Sequence, residues 1–322
     1  MTELIQSNKP DQQKAPIADV AYDLTDFEIN HLTKQLIAQC ESSVPNDMPF
    51  VCFRIKGTSN FSNIARTIEG RVFTEELCDE PDRMAADFYD YENSSYFFLV
   101  VDMAQQMPAG TLRIIEHGES GFMTVNELIE HVNPGEKLPQ DYNYEDFYTA
   151  ANEQASKLGN CDNKISAENT WEVGTIAVLP QYRRSRNSSE DEKIASFVVS
   201  GQLYRSLYAG ARENGIDGFV SMIDPVALQT LRSLGIPFYN LPNTKTLAFE
   251  DGSNFEPCFA VVPDFHQSMT EFAKSEYDKA QSEIEKNKAQ QKMGMIEVLL
   301  TGNGLDDMMS FRHNHLDQNS VN

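Results

Sequence analysis

The chain is short of positive charge and of any long apolar run. Lys and Arg number 26 against 49 Asp and Glu in 322 residues, a formal net charge of -23. A field of that sign repels phosphate backbones and argues against duplex binding, while leaving room for a local basic pocket. The longest apolar run, near Tyr96–Val101, falls far below the roughly 20 residues a membrane span requires. Met1-Thr2-Glu3-Leu4 carries neither a basic nor an apolar leader pattern. The five cysteines (Cys40, Cys52, Cys78, Cys161, Cys258) include no C-x-x-C. They offer no zinc knuckle or legible disulfide framework, and they fit a reducing compartment. G-x-S-x-G, H-E-x-x-H and the P-loop are all missing. His313-x-His315 has no supporting carboxylate or cysteine spacing, so no metal is expected. These absences predict a soluble, cytoplasmic protein with neither a nucleic-acid partner nor a transmembrane segment.

What is present supports a real core: 40% of residues are hydrophobic. Residues 1–20 lack periodicity and read as a flexible N-terminal arm. Thr25 caps a predicted helix over Phe27–Cys40, with Ile29, Leu32, Leu36 and Ile37 on one face. Val51–Ile55 reads as a strand and Ser62–Leu77 as a helix. Tyr96–Val101 and Gly110–Ile115 form a hairpin around a turn at Gln105–Ala109. Helical patches follow at Thr124–Val132 and Tyr144–Lys157.

The second half carries clearer punctuation. Trp171–Val178 reads as a central strand stopped by Leu179-Pro180. Ser189 and Glu192 make a capping box for a helix that Gly215 ends. Gly218–Ile223 is the next strand, and Asp224, Pro225 and Gly235 bracket a helix over Val226–Leu234. Thr246–Phe249 and Cys258–Val262 are further strands, Asp264–Lys292 is a charged helix, and Gly294–Asn322 is a tail. The helix between Trp171–Val178 and Gly218–Ile223 makes those strands parallel. The order gives an α/β or α+β sheet of about six strands.

Charge is distributed unevenly. Acids outnumber bases three to one between Asn60 and Thr170, whereas the two balance between Trp171 and Gly235. Arg183, Arg184 and Arg186 cluster between a strand end and a helix start, where an anion would sit. Their alternative is a solvated surface beside Glu190 and Asp191. Glu172, at the start of a buried strand, is either a general base for an amine or an orienting partner for neighbouring groups. Arg113 could equally form a structural ion pair with Asp87 or Asp90.

Several short motifs fall in a consistent order. Val72-Phe73 precedes Asp87-Phe88-Tyr89-Asp90, and Gly110-Thr111-Leu112-Arg113 follows. Trp171-Glu172-Val173 opens the central strand, and Asp224-Pro225 begins a helix ending in Leu231-Arg232-Ser233-Leu234-Gly235. This succession resembles the autoinducer-synthase branch of the GNAT acyltransferases, which includes acyl-homoserine lactone synthases and N-acyl amino acid synthases. It covers about two-thirds of the chain. The resemblance implies an α+β fold (an α/β sandwich), a GNAT-like mixed sheet of about six or more strands flanked by helices. The acyltransferase domain would occupy residues 21–263, with a helical C-terminal extension and polar tail over 264–322. It further implies that Trp171–Val178 and Gly218–Ile223 diverge at one end to leave a cleft.

The implied activity is N-acyl transfer from an acyl-CoA or acyl-carrier-protein thioester to the amine of a small molecule such as an amino acid. An acyl carrier protein would dock on the Arg183–Arg186 region. In that scheme the backbone at Ile176, Ala177 and Val178 holds the co-substrate and polarises its carbonyl. Arg183, Arg184 and Arg186 hold its phosphates, Glu172 is the base, and Arg66, Asp87, Asp90 and Arg113 recognise the acceptor. Two departures favour the alternative of a catalytically silent binding or regulatory module. Gly174-Thr175 stands where the lactone synthases have Ser-Arg, and Arg-Arg-Ser-Arg-Asn-Ser-Ser replaces the Gly-rich turn of acetyltransferases.

Overall fold

The computed structural model describes residues 20–40, 48–77, 81–130, 143–157, 164–183, 190–233, 235–241, 244, 246–248 and 254–301. Helix α1 (Asp26–Cys40) is opened by a reciprocal cap. The Thr25 backbone amide donates to the Glu28 carboxylate at 2.8 Å, and the Glu28 amide donates back to the Thr25 hydroxyl at 3.4 Å. Strand β1 (Phe50–Lys56), helices α2 (Ser62–Leu77) and α3 (Pro81–Phe88), and a 3-10 turn at Tyr89–Ser94 follow. The hairpin of β2 (Ser95–Asp102) and β3 (Met107–Glu116) has a tighter turn than the sequence suggested. Asp102 accepts from the Gln105 amide at 3.0 Å and Gln106 adopts φ 52°, so β3 starts three residues early. Pro108 cannot donate to the ladder, and it sits where the register shifts between Val100 and Val101.

The remaining elements are α4 (Met123–Glu130), α5 (Tyr144–Lys157), β4 (Thr170–Val178), α6 (Glu190–Glu213), β5 (Gly218–Ile223) and α7 (Pro225–Ser233), then β6 (Phe238–Asn240), β7 (Leu247–Ala248), β8 (Asn254–Val261), α8 (Phe265–Lys279) and α9 (Glu283–Thr301). Gly215 ends α6 at φ 68°, with the Ile216 amide closing back on the Ala211 carbonyl at 2.9 Å. Asp224 caps α7 by accepting from the Val226 and Ala227 amides at 2.8 and 3.0 Å. The Ser189–Glu192 box, the N-terminal arm before residue 20 and the tail beyond residue 301 lie outside the described residues.

The strands run β1-β2-β3-β4-β5-β8-β6, with β7 paired on β8, and the β4–β5 pair is parallel while every other pair is antiparallel. With its helices, this is an α+β fold built on one mixed sheet. Helices cover both faces. Phe97 of β2 meets Arg66 of α2 on one face, and its neighbour Phe98 approaches Gly210 of α6 on the other. A second apolar cluster, from Phe122 and Val125 to Phe147 and Ala151, seats α4 and α5 against Val220, Phe259 and Val261. The helix expected over Asp264–Lys292 is two helices. The chain turns extended at Ala280, and Ser282 with Glu285 begins α9, which runs on to Thr301 because Ile296 and Leu300 pack on the core.

The central feature is a fork. β4 and β5 pair over Thr170–Glu172 and Gly218–Val220 and then part. Each keeps its other neighbour, β4 staying on β3 as far as Val178 and β5 on β8 as far as Ile223. The β3–β4 register skips Gly174, a bulge that bends β4 just beyond the last β5 contact. At the crotch, the Ser221 hydroxyl donates to the Val173 carbonyl at 2.7 Å. Replacing Ser221 with Ala removes this tie and should lower stability by about 1 kcal/mol. An unchanged urea midpoint would show that the bond does not hold the fork.

Candidate active site

The wedge between the parted strands opens into a cavity of about 730 Å³. Apolar side chains dominate its walls: Val72 and Phe73 of α2, Leu112 of β3, Val173 and Ile176 of β4, and Leu207 of α6. Ile223, Leu231, Phe265, Met269 and Leu300 extend the lining towards α7, α8 and α9. The polar exceptions include Thr175, Ser200, Tyr204, Ser221 and Asp224. Burial pushes the Tyr204 phenol up to about 12, so it stays protonated and can only donate or accept a hydrogen bond at neutral pH.

The backbone of β4 presents free groups to this space. The Leu179 amide donates to Ala109 of β3 at 3.0 Å. Strand alternation therefore turns the amides of Ala177 and Thr175 towards β3 as well, and those of Ile176 and Val178 towards the wedge. The Val178 carbonyl confirms the sense, because it accepts a hydrogen bond from Arg183 Nε. Of the three backbone positions expected from sequence, Ile176 and Val178 face the wedge and Ala177 belongs to the β3 ladder. Arg183 closes the end of β4, with its guanidinium 4.0 Å from Glu75. Tyr182, beside it, anchors the turn through a 3.0 Å bond to Asp102. Arg184 and Arg186 lie outside the described residues.

Glu172 sits at the last β4–β5 pairing position, and its carboxylate turns to α4. It accepts from the Met123 amide at 2.6 Å, the Thr124 amide at 2.8 Å and the Thr124 hydroxyl at 2.6 Å, capping the N-terminus of that helix. Burial raises its pKa to about 7 despite these donors.

Beside the wedge, on the α2 face, lies a buried ionic cluster. Arg66 and Glu69 stand three residues apart on α2, facing Arg113 of β3 and Glu92 of the 3-10 turn, and none is more than 1% exposed. Arg113 binds Glu69 at 2.6 Å, Glu92 at 3.3 Å and the Tyr22 hydroxyl at 2.6 Å. Arg66 pairs with Glu92 and donates to Ser62, Asn63 and the Gly57 carbonyl. Thr175 of β4 donates to Glu69, which joins the cluster to the wedge wall. The Phe88 and Phe97 rings lie 3.9 and 4.6 Å from the Arg113 guanidinium carbon. Burial works to raise the Glu92 carboxyl, but Arg113 and Arg66 outweigh it and hold the group below its usual range.

This arrangement separates the four residues expected to recognise an acceptor. Arg66 and Arg113 are enclosed and engaged with internal carboxylates, and neither lines the cavity. Asp87 faces Arg83 at 3.9 Å and is half exposed, while Asp90 is exposed. The partners of Arg113 are Glu69 and Glu92 instead of Asp87 or Asp90. The three-residue spacing of Arg66 and Glu69 in Arg66-Thr67-Ile68-Glu69, which puts both on one helix face, was the available signal for Glu69. Val72-Phe73, noted only as a motif, proves to be part of the cavity wall. Among the described residues no cluster of His, Cys, Asp or Glu could hold a metal, and no helix is long and apolar enough to cross a membrane.

No protein-family model matches the chain, and no curated protein does. Several solved structures are similar to it. The CoA-dependent acyl-homoserine lactone synthase BjaI, solved with SAM and isopentyl-CoA, is 12% identical, with a TM-score of 0.41 over 76% of this chain and 90% of that one. FeeM, an N-acyl amino acid synthase from uncultured soil microbes, is 17% identical, with a TM-score of 0.43 over 68% of this chain and 94% of its own. Ard1 from Thermoplasma volcanium is 10% identical, with a TM-score of 0.36 over 66% of this chain and 97% of its own. The ligands of those proteins are properties of those proteins.

The ionic cluster makes a direct prediction. Arg113→Met leaves an excess of buried negative charge on Glu69 and Glu92 and should cost about 3–5 kcal/mol. Adding Glu69→Met restores the balance and should recover much of that loss in urea unfolding. Equal losses in the single and double variants would assign the cost to packing, not charge.

Proposed function

We propose that the chain is an N-acyltransferase that moves an acyl group from an acyl-CoA or acyl-carrier-protein thioester to the amine of a small molecule such as an amino acid. The observation that carries this reading is the fork: an apolar cavity reached between two parted strands, with unladdered amides along one wall. A cavity of about 730 Å³ lies inside the roughly 300–1,000 Å³ range of small-molecule sites. Its apolar walls suit an acyl chain, and the few polar groups suit the orientation of a single reacting end.

The chemistry follows from where charge develops. Attack of an amine on a thioester places negative charge on the carbonyl oxygen. Amides of Ile176 and Val178, fixed by the strand, would stabilise that charge. Collapse of the intermediate expels a thiolate and forms the amide, and the amine proton must leave. Glu172 adjoins the cavity wall at Val173, and its pKa of about 7 suits a proton acceptor near neutrality. Its oxygens face α4, so we assign it a relay through water. Arg183, at the end of β4, would meet the anionic part of the carrier. The buried cluster of Arg66, Glu69, Glu92 and Arg113 keeps α2, and with it Val72 and Phe73, against the wedge. Acceptor recognition would then fall to wedge groups such as Ser221, Tyr204 and Asp224.

Thiol release from acyl-CoA donors with amino-acid acceptors, combined with mass spectrometry of the products, tests the activity. A base must be ionised, so kcat should rise as pH passes about 7 and level off above it. Glu172→Gln should abolish that acid limb and lower kcat by roughly 100-fold to 10,000-fold. Full turnover and an unchanged limb in the folded variant would reduce Glu172 to the anchor of α4. If the wild type turns over no donor with any acceptor, the silent binding module is the better reading.

A further inference from the structure

Part of the wall of the wedge comes from helices that follow the sheet. Phe265 and Met269 of α8 and Leu300 of α9 line the cavity. These helices pack together across the short connection 280–282, which makes them an antiparallel pair. At 1.5 Å per residue, Leu300 lies about 26 Å along α9 and Phe265 about 21 Å back along α8, so the last turn of one meets the first turn of the other. Ile296, one turn before Leu300 and 4% exposed, fixes this face of α9 in the main core. Ile284, at the opposite end of α9, is 69% exposed and far from the cavity.

Leu300 differs from its neighbours on the wall. Tyr204 and Leu207 belong to α6, which crosses β1, β2 and β3, and Ile223 belongs to a paired strand, so changing them disturbs the sheet packing. Leu300 is half-buried in the final turn of α9, and its side chain reaches the cavity from a position that no strand depends on. A bulky branched side chain in the wall of an apolar cavity limits the length of chain that fits against it. Dense interiors yield little to an extra methylene, so a chain that reaches it gains nothing by growing longer.

We propose that Leu300, fixed by Ile296 and seated with Phe265 and Met269, sets the longest acyl chain that the wedge accepts. The proposal rests on the acyltransferase reading and adds to it a specificity-determining residue from the helical extension. The extension is then part of the binding site itself.

The test is calorimetric titration of the full-length protein with saturated acyl-CoAs from butanoyl to hexadecanoyl. Affinity should climb roughly fourfold per buried methylene and then fall away at a limiting length. Leu300→Ala should move the limit outward by about two or three carbons, the volume it vacates, and Met269→Ala should move it the same way. Leu300→Trp should move it inward, and Ile284→Ala should leave it in place. A clear limit that all the Leu300 and Met269 variants leave unmoved overturns the proposal while the acyl-binding reading stands. A wild type that binds no acyl-CoA of any length overturns both, so the two failures are distinguishable.

Discussion

Buried backbone amides need partners, and β4 meets that need in two ways along its nine residues. Over its first three residues it has a strand on each side. Beyond Glu172 it keeps β3 and loses β5; Ile176 lines the apolar cavity, and the groups of Ile176 and Val178 turn away from the ladder. Arg183 answers one of them at the Val178 carbonyl. The rest define what the cavity wants: a ligand with polar, strand-like atoms along one edge and hydrocarbon beyond. The parting of two strands thus leaves one edge of β4 open along an apolar cavity.

The ionic cluster beside the wedge solves a different problem. Two arginines and two glutamates bring equal and opposite charge into a region without solvent, and Tyr22, Thr175 and the Gly57 carbonyl take up further hydrogen-bonding capacity. Such a cluster gives little net stability over an apolar filling, yet its geometry admits few alternatives. It joins α2, β3, β4 and the 3-10 turn at fixed orientations. Gly57 belongs to the same construction, because a Cβ there would come within 2.3 Å of the Glu92 carbonyl. Val72 and Phe73 reach the cavity from a helix held in this way.

Local signals in the sequence carried much of this. Capping at Thr25 and Asp224, stops at Gly215 and Gly235, and the crossover before Gly218 each depend on a few adjacent residues, and the structure has all of them. Pairing across long distances was less legible. In a stretch where acids outnumber bases three to one, Arg113 had many possible partners, and only the assembled α2 face selects Glu69 and Glu92. Glu172 looked like a base or an orienting group. Its contacts with Met123 and Thr124, forty-nine and forty-eight residues away, join it to a helix that no local pattern connects with β4. The three residues of β6 are too few for periodicity to register. The C-terminal helices were read as one because charge runs through both, while the Ser282–Glu285 cap that separates them is a single short motif.

The position of α8 and α9 in the chain has a bearing on synthesis. Every strand among the described residues is complete by Val261, so the β4–β5 fork can form while later residues are still in the ribosome. Until Leu300 and its neighbours emerge, the cavity lacks part of its wall and presents Phe265, Leu207 and Ile223 to the surroundings. A chain that lacked residues 283–301 would therefore hold a folded sheet beside an open greasy cleft, the kind of surface that chaperones bind. Docking of α9 ends that exposure and closes the cavity in one step.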